Sequence, residues 1–189
     1  SFEHVDTGLA EVTDIQGTPF VILIAGGDGL VAWDEGRFER VLENVGVWSV
    51  EPASAEGDLF YAIEDERLAI VRHERTGWRV TDTSGGPPVG LSSLARGRDG
   101  ELWAGQMRGG LIRFQLAADG ARIASWEPRP LAGASPATPS TWVFQIGERV
   151  FARDADRYFV LDDGEFRRVR AGDGLPQTML DELSGEALT

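Results

Sequence analysis

The sequence predicts an all-β fold, a β-propeller of four-stranded antiparallel blades, and two observations carry that prediction. First, an aromatic residue, one or two charged residues and a valine recur just before turn-rich stretches. The phrase reads Phe2-Glu3-His4-Val5, Phe38-Glu39-Arg40-Val41, Trp78-Arg79-Val80 and Phe166-Arg167-Arg168-Val169, with Trp126 filling the remaining slot. Its aromatics stand at 2, 38, 78, 126 and 166, so the spacings are 36, 40, 48 and 40 residues. A period near 40 built from short strands and turns is the signature of a propeller. Second, Asp-Gly and Gly-Gly pairs separate short alternating apolar runs, and glycine supplies the positive φ that tight hairpins need. Such a repeat array tilts the expectation toward binding rather than catalysis.

Each blade follows from its own turns. The first spans residues 11–42, with turns at Gly26–Gly29 and Asp34–Gly36. The second spans 47–82, with turns at Glu56–Asp58, Asp65-Glu66 and Arg75–Gly77. The third, 89–127, is the clearest: Gly90–Ala95, Glu101–Gly105, Gly110–Leu116 and Ala121–Glu127 alternate like strands, and Gly97-Arg98-Asp99-Gly100 is a hairpin turn. The fourth spans 142–169, with turns at Gly147-Glu148, Asp154–Asp156 and Asp162–Gly164. Residues 1–10 read as a lone fourth strand and residues 170–189 as a lone first strand, as in a segment of a larger propeller. The Pro- and Ala-rich stretch Pro128–Ser140 reads as a long connection. Open strand edges at both ends favour a homodimer.

Composition removes several classes. The 189 residues carry a net charge of −13, and all 18 basic residues are arginine. That balance argues against a nucleic-acid partner, which needs a basic face. There is no cysteine, so disulfides, zinc thiolates and thiol catalysis are excluded. No apolar run reaches the length of a membrane span, so no membrane contact is expected within this chain. No secretion signal is read at Ser1.

Gly90-Leu91-Ser92-Ser93-Leu94-Ala95-Arg96-Gly97-Arg98-Asp99-Gly100-Glu101-Leu102-Trp103-Ala104-Gly105, ending in Gly109-Gly110-Leu111-Ile112-Arg113-Phe114, resembles the two-component regulator propeller repeat. Gly29-Leu30-Val31-Ala32-Trp33 keeps part of that pattern, and Gly172-Asp173-Gly174-Leu175-Pro176 is similar to the family's link between blades. The second and fourth blades lack the second-strand tryptophan. The resemblance implies the periplasmic or otherwise extracytoplasmic input region of a membrane-anchored two-component sensor. Such regions take a small polar solute, such as a carbohydrate, and signal through a following β-sandwich and membrane helix. It assigns no ligand residue, because these vary across the family. A propeller enzyme (lyase, lactonase or glycosidase) and a structural protein-interaction propeller are the alternatives.

Val21–Ala32 imitates a strand entering a dinucleotide-binding glycine turn, with Glu51 near the ribose-binding spacing. Gly36 interrupts the required helix, so a hairpin is expected instead. His4 and His73 are lone histidines, and no G-x-S-x-G occurs. Asp154 and Asp156 supply only the first two positions of a calcium loop before Tyr158 intervenes. No metal or cofactor is therefore expected, and no catalytic residue is assigned. Trp33, Trp78 and Trp103 lie inside strands and are expected to pack between blades. Ligand contacts are expected on the turns between the second and third strands, which share the face where the channel opens. They offer Asp28, Glu66, Arg67, Gln106, Arg108, Asp156 and Arg157, polar groups suited to orienting a polar solute.

Overall fold

Sixteen strands form among the residues described by the structure, a computed structural model covering 7–34, 36–54, 56–81, 86–87, 89–97, 100–131, 140–170, 172–176 and 178–179. The first blade holds β1 (Val12–Gly17), β2 (Ile22–Gly26), β3 (Gly29–Asp34) and β4 (Arg37–Glu43). The second holds β5 (Val47–Pro52), β6 (Leu59–Glu64), β7 (Arg67–Glu74) and β8 (Gly77–Thr81). The third holds β9 (Leu91–Arg96), β10 (Leu102–Gln106), β11 (Leu111–Leu116) and β12 (Ile123–Arg129). The fourth holds β13 (Thr141–Ile146), β14 (Arg149–Asp154), β15 (Arg157–Asp162) and β16 (Glu165–Arg168). Each blade is an antiparallel meander in chain order. The fold is thus a β-propeller of four four-stranded blades, as the repeat period predicts.

Local chemistry explains the turns. The dinucleotide look-alike is a two-residue hairpin, with Gly26 paired directly to Gly29. At Asp65 and Glu66 the backbone takes φ of 44° and 66°, the left-handed values of a two-residue hairpin turn that fits strand twist. Gly105 is required for a different reason: a Cβ there would strike the Thr141 carbonyl of the fourth blade.

Alternation sends one face of each blade to each neighbour, and the core is a series of seams. The first seam joins Leu23, Ala25, Leu30 and Ala32 to Val50, Phe60, Ala62 and Val71. The second joins Tyr61, Ile63 and Ile70 to Leu94, Leu102 and Phe114. The third joins Trp103 and Leu111 to Val143, Val150 and Phe159. The far face of the fourth blade carries Phe151, Tyr158 and Val160, covered in part by Leu175 and Met179.

Inner strands are clamped in register by a repeated polar device. Asp14 Oδ2 accepts the Val50 N–H at 2.8 Å, Ser49 Oγ accepts the Leu94 N–H at 3.2 Å, and Ser93 Oγ accepts the Val143 N–H at 2.6 Å. One residue earlier, Thr13 and Ser92 each donate a hydroxyl to the next blade, to the Val47 and Thr141 carbonyls, both at 2.5 Å. Such buried bonds matter because unpaired strand groups would be costly. Successive inner strands pack in this way, β1 on β5, β5 on β9 and β9 on β13, whereas β13 and β1 make no comparable contact among the described residues.

The lone fourth strand expected at Phe2–Val5 lies outside the described residues. In the expected first strand over 170–189, residues 172–174 form a turn and 175–176 are irregular, and a helical turn follows Pro176, where the Met179 N–H donates to the Pro176 carbonyl at 3.0 Å. The remainder lies outside the described residues.

Candidate functional site

The turns between second and third strands do share one end of the molecule with the links between blades. The Asp28 carbonyl accepts the Asn44 N–H at 3.0 Å, the Asp65 N–H donates to the Gly46 carbonyl at 2.9 Å, and the Glu66 carbonyl accepts the Leu91 N–H at 2.9 Å. The inner strands start at this end, where the channel opens.

A cavity of about 520 Å³ runs from there along the inner strands, lined by those of all four blades. The first blade contributes Thr13, Asp14 and Gln16, the second Trp48, Ser49 and Glu51, the third Ser93, and the fourth Trp142 and Gln145. Trp48 and Trp142 are each 47% exposed, far more than a tryptophan on an inner strand needs to be. Both sit at positions of the inter-blade clamp. Trp48 takes the place that Thr13 and Ser92 fill with a bridging hydroxyl, and a bulge between Val47 and Ser49 leaves it out of the ladder. Trp142 takes the place of Asp14, Ser49 and Ser93, and its Nε1–H donates to Ser140 Oγ at 3.0 Å. Two indoles are thereby released from packing to line the channel.

Carboxylates and amides surround them. Asp14 Oδ1 accepts from Gln16 Nε2 at 3.4 Å. Burial pushes the Glu51 carboxyl up to about 7; Arg96 opposes the rise and the nearby Asp14 charge adds to it. Arg96 is held close by, with Nη1 donating to the Pro52 and Ala53 carbonyls at 3.0 and 2.8 Å.

None of the seven residues expected on the turns lines this cavity. Asp28, Glu66 and Gln106 are engaged in the turns and links themselves. Asp28 Oδ1 accepts the Ala10 N–H at 3.0 Å. The Glu66 carboxylate lies against Gly90, where a Cβ would collide with it. The Gln106 backbone carbonyl closes its own turn, accepting the Gly109 N–H at 3.2 Å. Asp156 and Arg157 pair with each other at 3.8 Å. Arg67 and Arg108 are exposed on the surrounding rim.

Of the three tryptophans expected between blades, Trp103 is fully buried in the third seam and Trp78 packs against the first. Trp33 departs from that expectation. Its neighbour Ala32 faces the second blade, so alternation turns Trp33 to the opposite face of the first blade, where it is 37% exposed. Trp48 was not legible as a site residue, because a one-residue bulge beside it resets the inward–outward phase, and Trp142, in a regular register, carries no local signal that separates it from a packed strand tryptophan.

The architecture defines the class, a β-propeller, and solved structures agree. The extracellular domain assigned to the hybrid two-component system BT4673 of B. thetaiotaomicron is similar with a TM-score of 0.60 and 15% identity, over 85% of this chain and 22% of that one. A streptogramin B lyase is similar with a TM-score of 0.60 and 13% identity, over 87% of this chain and 56% of the enzyme. PorZ, a surface component of the type-IX secretion system of Porphyromonas gingivalis, is similar with a TM-score of 0.55 and 18% identity, over 86% of this chain and 21% of PorZ. At these identities the likeness is one of fold. The chain spans between about a fifth and just over half of these proteins. No family model matches the sequence, and no curated protein does.

Proposed function

We propose that this propeller is the solute-binding part of an extracytoplasmic sensor, and that a small polar solute such as a carbohydrate is captured in the channel mouth by Trp48 and Trp142. The single observation that supports this reading most is the pair of half-exposed indoles in one polar cavity. A sugar presents C–H faces that pack on aromatic rings and hydroxyls that need donors and acceptors. Gln16, Gln145, Asp14 and Ser93 supply those groups. The exposed turn residues Arg67, Arg108 and Asp156, with the half-buried Arg157, are the next contacts outward. Because the cavity draws on all four blades, a bound solute ties the blades together. It shifts a signalling equilibrium only through its differential affinity for the two states.

The test is titration calorimetry against a panel of neutral mono- and oligosaccharides. The expected result is saturable binding to at least one, weakened tenfold or more by Trp48→Ala and by Trp142→Ala while each variant stays folded. Binding that survives both substitutions, or no binding by any sugar, would overturn the reading.

One observation favours a second reading. A carboxyl raised to about 7 beside a second acid is the kind of pair that cleaves glycosidic bonds. Glu51 would then act as proton donor and Asp14 as its partner. Product formation from a bound oligosaccharide, abolished by Glu51→Gln while binding persists, would favour catalysis over sensing.

A further inference from the structure

The three seams repeat one another, and their differences expose a second site. Each seam is filled by one residue of the second strand: Leu23 in the first, Tyr61 in the second and Trp103 in the third. At the end of the first and second seams away from the channel mouth lie grooves of about 820 and 630 Å³, whereas in the third seam Trp103 is fully buried against Phe166.

The third seam shows what the first lacks. There Trp103 pairs across the blade with Arg113, and Arg113 with Glu127. The Arg113 guanidinium lies 5.9 Å from the Trp103 ring centroid and bonds Glu101 and Glu127. The corresponding row of the first blade is Leu23, Ala32 and Glu39. An indole and a guanidinium have been removed, and the carboxylate has been kept. No cation pairs with Glu39 among the described residues; its Oε1 reaches across the seam to Gly77, 3.2 Å from where a Cβ would stand.

The opposite wall is aromatic. Trp78 occupies the place of Phe166, which meets Trp103 edge-on at 5.0 Å in the third seam. In the first seam Trp78 stacks instead on His73 at 4.6 Å. Glu56 and Asp58 stand on the same wall, against the single guanidinium of Arg37. The loop carrying them is fitted to the first blade: a Cβ on Gly57 would strike Thr18 Oγ1 and come within 3.1 Å of Val21.

We propose that this groove binds an organic cation with a guanidinium or primary ammonium head, which takes the place that Arg113 fills in the third seam. Glu39 pairs with the head, Trp78 offers an aromatic surface to its apolar stem, and the rim carboxylates draw it in. The site is separate from the channel mouth and takes the opposite kind of ligand, a cation rather than a neutral polyol.

Agmatine is the probe, titrated calorimetrically into the whole chain, with myo-inositol as neutral control. The expected result is saturable one-to-one binding of agmatine, none of myo-inositol at this site, and a tenfold or greater loss in Glu39→Gln. The double variant Leu23→Trp/Ala32→Arg, which rebuilds the third seam's internal cation, should bind no agmatine while remaining folded. If Glu39→Gln binds agmatine as the parent does, the attraction is diffuse surface charge and the proposal fails. If Trp48→Ala abolishes binding and Glu39→Gln does not, the cation sits in the channel and the proposal fails equally. Glu39→Gln changes one partly solvated side chain, so its result stands even if the double variant does not fold.

Discussion

The first and third seams are built on one plan, yet the first ends in a wide groove where the third is filled by an indole. In the third, Trp103 is fully buried and Phe166 packs against its edge. In the first, Leu23 stands in the same place, itself fully buried, and a groove of about 820 Å³ lies at the end of the seam. The same logic governs the channel. Thr13 and Ser92 bridge to the next blade, while the corresponding Trp48 does not and turns into the cavity. In this propeller, then, a blade position that keeps the repeat's residue holds neighbours together. A position that loses it makes room for solvent and ligand.

The largest test of that contrast is Trp103→Ala. Removing a fully buried aromatic side chain costs about 3–5 kcal/mol, from lost transfer energy and the cavity left behind. Leu23→Ala, beside a groove already open, should lie at the bottom of the Leu→Ala range, about 2–3 kcal/mol. Urea unfolding of both variants measures the difference. Equal costs would break the comparison, since Trp103 would then carry no more of its seam than Leu23 does.

The middle seam is the intermediate case, and its stability should depend on pH. Glu51 lies at its inner end with a carboxyl raised from 4.5 to about 7. A folded-state pKa above the unfolded one means the folded protein holds the proton more tightly. The stabilising contribution is complete below about pH 4.5 and is lost as pH rises through about 7. Each pKa unit corresponds to about 1.4 kcal/mol, and allowing for partial solvation the loss is on the order of 2 kcal/mol. Glu51→Gln should remove that slope. A parent and variant whose stabilities run parallel between pH 4.5 and 8 would show that Glu51 is not buried as described. Asp173 acts in the opposite sense. Arg167 holds its carboxyl far below the usual range through bonds of 2.7 and 2.8 Å, so its contribution disappears only in strong acid. The difference between parent and variant therefore isolates Glu51.

What is legible in the sequence follows the same division. The aromatic phrase and the glycine turns carried the fold, because each turn needs its own backbone chemistry: Gly109 and Gly110, for example, adopt φ of 80° and 94°. Trp103 was legible because the third blade keeps the whole repeat pattern around it. The channel pair was not. Trp48 stands beside a bulge that reverses the inward–outward phase, and no count along the strand reveals a bulge. Trp33 misled for the opposite reason. Its strand position is that of Phe114, which is fully buried in the second seam, but the corresponding face of the first blade turns away from the second blade. The turn residues Asp28 and Glu66 were legible as polar and placed at the channel end. Their engagement with links distant in sequence was not.

A smaller effect should come from filling the first seam. Leu23→Trp adds an indole beside the groove, which has room to receive it. Overpacking a closed core costs typically about 1–3 kcal/mol, so a change within about 1 kcal/mol in urea would mark the groove as true free volume. A loss above about 3 kcal/mol would show that Leu23 already fills its space and that the groove lies out of its reach.

The finest comparison uses charge alone. Arg113 is about a fifth exposed and bonds two carboxylates, so Arg113→Met keeps most of the stem and removes only the guanidinium's pairing. Partly exposed ion pairs contribute about 0.2–1 kcal/mol each, and leaving Glu101 and Glu127 facing each other adds to the loss, so about 1 kcal/mol is expected. Glu39→Gln, in the equivalent row of the first blade, breaks no ion pair and should change stability by less than about 0.5 kcal/mol. If Glu39 were serving the fold as Glu127 does, the two substitutions would cost alike and 0.5 M salt would shrink both. If only Arg113→Met is costly and only its cost falls with salt, the carboxylate of the first seam is held ready without an internal partner. That is the state a cation-binding groove requires before its ligand arrives.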